Sequence, residues 1–443
     1  MGRKMKQPIV DFVRGYASSG MARFHMPGHK GRGLLGIEAD DITEISGADS
    51  LYEASGIIAE SEKEASALFG SARTLYSAEG SSQCVRAMVH LAVTSGRGNR
   101  IVCARNAHRS FIYACALTGA RADWLYPEKG NAPLCACPVT SRQVREALDR
   151  EETAAVYLTS PDYLGGMQDI AGIAEVCAEK GVPLMVDNAH GACLRFLPGD
   201  RHPLSLGADL CCDSAHKTLP ALTGAAWLHV SHKGEKLFGE RARQAMETYG
   251  STSPSYLTLM SLDRLNGYLA GEGPEALRRT AEALEEAREK LRKAGWLVLP
   301  TDPMRLTLRA PAGSSGYEMA DLLRKAKAEC EYADRDHLVL MMSPMNTPEE
   351  IDLLIRALGT APGPCGEIRL PEVRCRAAMS IREAVFAPWE TVPPEKAPGR
   401  ICASPAAACP PAVPVVCAGE VIDNNAVSVM QYYGFKSIRV VKE

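Results

Sequence analysis

At 443 residues, with 46% apolar and 23% charged side chains, the chain has the make-up of a soluble globular protein too long for one small core. Its formal charge of −3 supplies no basic surface for nucleic acid or an anionic membrane, so neither is an expected partner. No apolar run approaches the ~20 residues of a membrane span, and the basic N-terminus leads into a polar segment instead of an apolar signal core, which predicts a cytoplasmic protein.

Residues 1–60 read as an arm, with one helix over Pro8–Ser18 followed by a glycine-rich loop. From Ser61 the pattern alternates. Helices are predicted over Ser61–Phe69 and Ser82–Ser95, with a strand at Thr74–Ser77 between them. Further strands are predicted at Arg100–Cys103, Ala122–Leu125, Ala154–Thr159, Leu184–Val186, Leu210–Cys212 and Ala225–His229, with helices over Arg142–Arg150 and Ile170–Glu179. Strands alternating with helices of this length predict an α/β fold around a mainly parallel, two-sided sheet. A charged helix over Pro274–Ala294 leads into residues 295–360, which read strand, helix, strand, helix and suit a small α+β domain. Beyond Ala361 proline becomes dense between Pro393 and Pro414, favouring loops and edge strands. The expected division is therefore an arm (1–60), a large domain (61–273), a small domain (274–360) and a C-terminal subdomain (361–443).

Fifteen cysteines raise the question of disulfides or metal. Cys103, Cys115, Cys177, Cys211 and Cys212 sit in apolar runs, where a free thiol packs as a small hydrophobe. Cys135 and Cys137 lack a second pair at zinc-ligand spacing. Packing is the expected role, and no metal site is expected.

The chemistry concentrates in two segments. In Asp-Ser-Ala-His-Lys-Thr-Leu-Pro (213–220), Lys217 follows an apolar run. A poorly solvated lysine loses charge and becomes a nucleophile for carbonyls, as in a Schiff base with pyridoxal phosphate (PLP) or a keto substrate. The same octapeptide also suits a surface lysine closing a strand. In Leu-Met-Val-Asp-Asn-Ala-His-Gly (184–191), a buried-strand pattern delivers Asp187 at its carboxyl end, where open α/β sheets bind ligands. A lysine to hold PLP and an aspartate to keep its ring nitrogen protonated are the minimum apparatus for that cofactor. Gly80-Ser81-Ser82 follows a strand and opens a helix, so its N–H groups and hydroxyls suit either a plain N-cap or the PLP phosphate.

With these segments stand Phe-His-Met-Pro-Gly-His-Lys (24–30), Gly-Ile-Ile-Ala-Glu (56–60), Arg-Asn-Ala-His-Arg-Ser (105–110) and Ser-Thr-Ser-Pro-Ser-Tyr (251–256). Together, in this order, they resemble the short form of the bacterial Orn/Lys/Arg decarboxylases, within the fold-type-I, aspartate-aminotransferase-like PLP enzymes. The resemblance implies that Lys217 carries the cofactor, Asp187 pairs with the ring nitrogen and His108 stacks on the ring face. Ala189 is small enough for the ring to lie flat, and His190 would meet the substrate carboxylate or the ring oxygen. Ser81, Ser82, Ser214 and His216 would bind phosphate, with Thr252 and Ser253 contributed by a neighbouring subunit of a homodimer or larger homo-oligomer. The 1–60 arm would lie over that partner. His25, His29 and Lys30 could line the entrance or form a basic surface loop.

The activity implied is decarboxylation of arginine, lysine or ornithine to the amine and carbon dioxide, chemistry of the kind polyamine biosynthesis uses. Two departures bear on it. Glu79 stands where relatives carry asparagine, and an anion beside a phosphate site is unfavourable unless it points away. Relatives commonly show an acid after Ser-Ala and then Tyr-Pro-Pro-Gly-Ile-Pro; here the residues are Cys402-Ala403-Ser404 and Cys409-Pro410-Pro411-Ala412-Val413-Pro414, leaving Glu420 as the nearby acid. Another PLP reaction on the same fold, transamination or aldol cleavage, and a degenerate PLP-binding homologue remain as alternatives.

Overall fold

The structure is a computed structural model and describes residues 5–128, 133–368, 370–407 and 411–443. The chain forms α1 (Pro8–Ser18), α2 (Ile57–Phe69), β1 (Arg73–Ser77), α3 (Ser81–Val93), β2 (Arg100–Ala104), α4 (Arg109–Thr118), β3 (Arg121–Leu125), α5 (Ser141–Leu148), β4 (Ala155–Thr159), α6 (Ile170–Glu179) and β5 (Leu184–Asp187). There follow β6 (Leu210–Asp213), α7 (Ala215–Thr218), β7 (Ala226–Val230), α8 (Glu240–Thr248), α9 (Tyr256–Ala270) and α10 (Gly273–Lys293). The remainder comprises β8 (Arg305–Arg309), α11 (Gly316–Lys325), β9 (Tyr332–Ala333), β10 (His337–Met341), α12 (Pro348–Leu358), α13 (Ile381–Phe386), β11 (Trp389–Val392), α14 (Asn424–Tyr432) and β12 (Ile438–Val441).

Every strand expected from the pattern up to residue 230 is present, most with an end moved by a residue. The expected helices over Pro8–Ser18 and Ile170–Glu179 form with those bounds. α2 starts four residues ahead of the expected Ser61 because Asp49, in the loop before it, accepts the N–H groups of Gly56, Ile58 and Ala59. Those are the orphan donors of a helix start, and the cap comes from a side chain upstream of the usual N-cap position. The sequence pattern gave no warning of α4, α8 and α9. In α9 the buried Asp263 and Asn266 spoil the apolar stripe; Asp263 accepts from Val10 N–H and the Ser61 hydroxyl, while Asn266 donates to Tyr76.

The chain falls into two compact units, each discontinuous in sequence. The first comprises Met1–Leu91 and Pro183–Arg278. Its strands lie in the order β1-β7-β6-β5. β5 and β6 are parallel, with Asp187 opposite Cys212, and β7 runs antiparallel to both β6 and β1. All residues of β5, β6 and β7 are buried, as in strands covered on both faces.

The second unit comprises Ala92–Val182 and Arg279–Glu443. Its parallel strands β4-β2-β3 are followed by an antiparallel sheet in the order β8-β10-β9. The proline-dense C-terminal stretch is folded: β11 pairs with β12, and Cys402, Val416, Ile422, Ala426, Met430 and Val440 make a small core. These units cut the chain differently from the four segments expected above. The five cysteines read as packing residues are all buried thiols, as are Cys135 and Cys137. Burial pushes the thiols of Cys103, Cys115, Cys211 and Cys212 up. Among the described residues no helix is long and apolar enough to cross a membrane.

Candidate active site

In the first unit, β5 and β6 end side by side and deliver two chemical groups. Asp187 closes β5, almost fully buried, and its Oδ1 accepts from Ala189 N–H at 3.1 Å and from the Cys212 thiol at 3.7 Å. β6 ends at Asp213, and the single-turn α7 then carries Lys217, whose N–H closes the turn on Ser214 O. Lys217 is half-buried, and its Nζ lies 2.9 Å from Nε2 of the buried His190. The structure therefore brings Asp187, His190 and Lys217 onto adjoining strand ends, with His190 facing the lysine amine.

The predicted phosphate end is assembled beside them. Gly80 takes φ +72°, a left-handed conformation open to glycine, and its N–H is bonded to Gly224 O. Ser81 and Ser82 then open α3, where backbone N–H groups lack partners of their own helix. Ser214 Oγ donates to Ser81 Oγ at 2.8 Å, joining the lysine turn to that helix start. His216, on the same turn, has its Nδ1 2.9 Å from Ala225 O.

Glu79, the departure from relatives, is exposed and takes the N–H of Ser251 on its Oε1. Its charge is thus spent on the 251–253 segment of the same chain, which places the exposed Thr252 and Ser253 near the helix start. His25, His29 and Lys30 are bonded within the arm: His25 to Tyr16, His29 to Asp41 and Lys30 to His25 O. His108 belongs to the second unit, where it N-caps α4 by accepting Ser110 N–H.

Glu420 is not available to a ligand. It is 3% exposed, pairs with Arg105 at 3.1 Å and accepts Cys417 N–H at 2.7 Å. Arg105 also donates to the carbonyls of Pro414 and Val415, and Arg109 N–H to Ala412 O. Cys409 lies outside the described residues.

Sequence reasoning missed what stands behind the site. Asp213, fully buried, holds His202 at 2.9 Å and His229 at 3.2 Å on Oδ2, and Asn188 at 2.6 Å on Oδ1. Burial opposes its charge, but the charge of His202 and the hydrogen bonds from both imidazoles outweigh that and hold the carboxyl below the usual range. A signal existed: an aspartate ending an otherwise apolar strand, inside the lysine octapeptide itself.

The donor set fits PLP. A strand-end carboxylate, a lysine amine on the adjoining strand's turn and two linked hydroxyls at a helix start are the groups that its ring nitrogen, aldehyde and phosphate require. Two buried side-chain atoms next along the chain from Asp187 and Lys217, Asn188 Oδ1 and Thr218 Oγ1, have no protein hydrogen-bond partner, as lining atoms of a ligand site can.

The fold is that of the lysine decarboxylases of known structure: the Francisella novicida lysine decarboxylase LdcF superposes with a TM-score of 0.81 at 17% identity, covering 99% of this chain and 81% of that one. Residues 7–310 match the family model for the Orn/Lys/Arg decarboxylase major domain, and residues 367–440 that for its C-terminal domain. The chain belongs to the Orn/Lys/Arg decarboxylase family, and is an enzyme of it. It is 29% identical to an arginine decarboxylase of Halalkalibacterium halodurans over all of this chain and 99% of that protein. It is 30% identical to the uncharacterized protein YaaO of Bacillus subtilis, over 96% of this chain and 93% of that protein.

Proposed function

We propose that the protein is a PLP-dependent decarboxylase of a basic amino acid, arginine or lysine before ornithine, acting as a cytoplasmic homodimer. The observation that carries the reading is the pairing of Asp187 and Lys217 on adjoining parallel strand ends, with His190 on the lysine amine. Lys217 is the covalent anchor for the cofactor aldehyde. Asp187, whose Oδ1 is fixed by Ala189 N–H, serves the ring nitrogen, and Ser81, Ser82 and Ser214 serve the phosphate. When bound, PLP supplies an electron-accepting ring that takes the electron pair left on Cα as carbon dioxide departs. His190, 2.9 Å from the lysine nitrogen, would allow a proton to pass between imidazole and amine.

Borohydride treatment is expected to fix the cofactor on Lys217, located by peptide mapping; fixation on another lysine overturns the site. Carbon dioxide release from arginine, lysine, ornithine and neutral amino acids then tests the substrate, and a neutral preference removes the basic-amino-acid reading. The relatives' name supports arginine, while the burial of Glu420 against Arg105 leaves the partner of a distal cation to be supplied from elsewhere. Shared sites are tested by mixing Lys217→Ala chains with chains altered at Thr252 and Ser253. Recovery of activity supports a site built from two subunits, and no recovery assigns Thr252 and Ser253 to the chain whose Glu79 holds Ser251.

A further inference from the structure

We infer that Asp213 is the positioning residue of this site: through Asn188 it fixes the direction in which Asp187 presents its carboxylate. The inference rests on the cofactor reading above. Asn188 follows Asp187 directly and is bonded to the end of β6 twice, its N–H to Cys212 O at 3.0 Å and its side-chain amide to Asp213 Oδ1 at 2.6 Å. These bonds carry the β5–β6 pairing one residue past the strands, so the turn that sets the Asp187 side chain has little freedom left. On its other oxygen Asp213 holds His202 and His229, and His229 Nδ1 reaches Thr74 Oγ1 at 2.9 Å. A chain of hydrogen bonds thus crosses the unit from β1 through β7 and β6 to the end of β5. The next residue, Ser214, ties the lysine turn to Ser81.

Asp213, His202, His229 and Asn188 are each 0% exposed. Burying such groups costs stability that an apolar core would not. Their hydrogen bonds offset that cost only in the arrangement that makes them, and of these four residues only Asn188 has a side-chain atom, Oδ1, without a protein partner. His202, Cys211 and Asp213 also form a cluster of metal-type donors, but here Asp213 is taken up by hydrogen bonds from both of the others. A device that fixes geometry explains a polar network ending beside Asp187 where packing alone does not.

The test uses the full chain reconstituted with pyridoxal phosphate, read by absorbance titration, visible circular dichroism of the bound cofactor, and the thermal midpoint before cofactor is added. Asn188→Ala removes the link and leaves the carboxylate and both imidazoles; Asp213→Asn removes the charge. Asn188→Ala is expected to weaken cofactor binding about tenfold, the scale of lost outer-shell partners in metal sites, and to reduce the visible dichroism while the thermal midpoint moves by only a few degrees. In the double variant the loss in affinity should not exceed that of Asp213→Asn alone, because both changes break one connection. Unchanged affinity and dichroism in Asn188→Ala, or losses that multiply in the double variant, overturn the inference. If Asp213→Asn does not fold, Asn188→Ala against wild type decides it on the same two readouts. Wild-type chain that takes up no pyridoxal phosphate overturns the cofactor reading and this inference with it, whereas uptake by wild type with unchanged variants overturns this inference alone.

Discussion

Two buried carboxylates, one in each unit, are neutralised in different ways. Asp213 in the first unit gathers two imidazoles, an amide and a thiol, with no guanidinium among them. Glu420 in the second unit takes the Arg105 guanidinium and one backbone N–H. Donors converging from several side chains fix the orientation of one carboxylate, whereas a single guanidinium partner ties two segments together. The contrast follows what each holds: Asp213 stands behind a strand end whose carboxylate must point correctly, and Glu420 clamps the 414–420 segment onto the start of the loop after β2. The acid that a sequence comparison offers for substrate recognition is thus committed to the fold, and the one that shapes the site lies inside the lysine motif.

The largest effect is expected at the strand end that Asp213 supports. Asp187→Asn should leave the fold intact and lower carbon dioxide release about 10²-fold or more, the scale for losing one preorganised charge contact in an active site. Turnover within a factor of a few of wild type would refute its role. Next comes the ion pair. Glu420→Gln leaves Arg105 buried without its partner charge and should cost about 3–5 kcal/mol in denaturant unfolding. Replacing Arg105 and Glu420 together by methionine and leucine should recover much of that; a double variant as unstable as the single one would show that Glu420 acts through something other than the pair.

A third buried carboxylate sharpens the contrast by pH. Asp162 in the second unit has its carboxyl pushed up to about 7, by burial first, against opposing hydrogen bonds from Gly166 and Leu164 and the charge of Arg305. A folded-state value above the unfolded ~4 means the native state binds the extra proton between those limits. Its contribution to stability is therefore present at low pH and is lost as pH rises from about 4 to 7. Asp162→Asn, which keeps an acceptor for Leu164 and Gly166 without the charge, should gain on wild type by pH 8 relative to pH 5 in thermal unfolding. Asp213, held below the usual carboxylate range, has the opposite sign: its ionised form stabilises through neutral pH and the benefit is lost only in acid. A pH-independent difference between Asp162→Asn and wild type would remove the distinction.

The smallest effect concerns Ala412, which adopts φ +58° so that its carbonyl can accept Arg109 N–H. A left-handed conformation costs a residue with a Cβ about 1–2 kcal/mol, while glycine gives back part of this through a freer unfolded chain. Ala412→Gly should raise stability by about 0.5–1 kcal/mol; a loss would mean that the methyl group packs better than the strain costs.

The sequence by itself determined the order of strands through residue 230, the thiol character of the cysteines in apolar runs, and Lys217 and Asp187 as strand-end groups. These are local facts: period, apolar runs and residue type within a few positions. The family followed from motifs in order. What only the tertiary structure decided is which side chains meet, from seven residues apart on the chain to 315. Asp49 capping α2, Asn266 turned inward to Tyr76, Glu79 reaching Ser251, Asp213 gathering His202 and His229, and Glu420 spent on Arg105 are all pairings of this kind. A buried polar side chain must find a partner wherever the fold brings one, and a window of sequence holds the demand without showing the supplier.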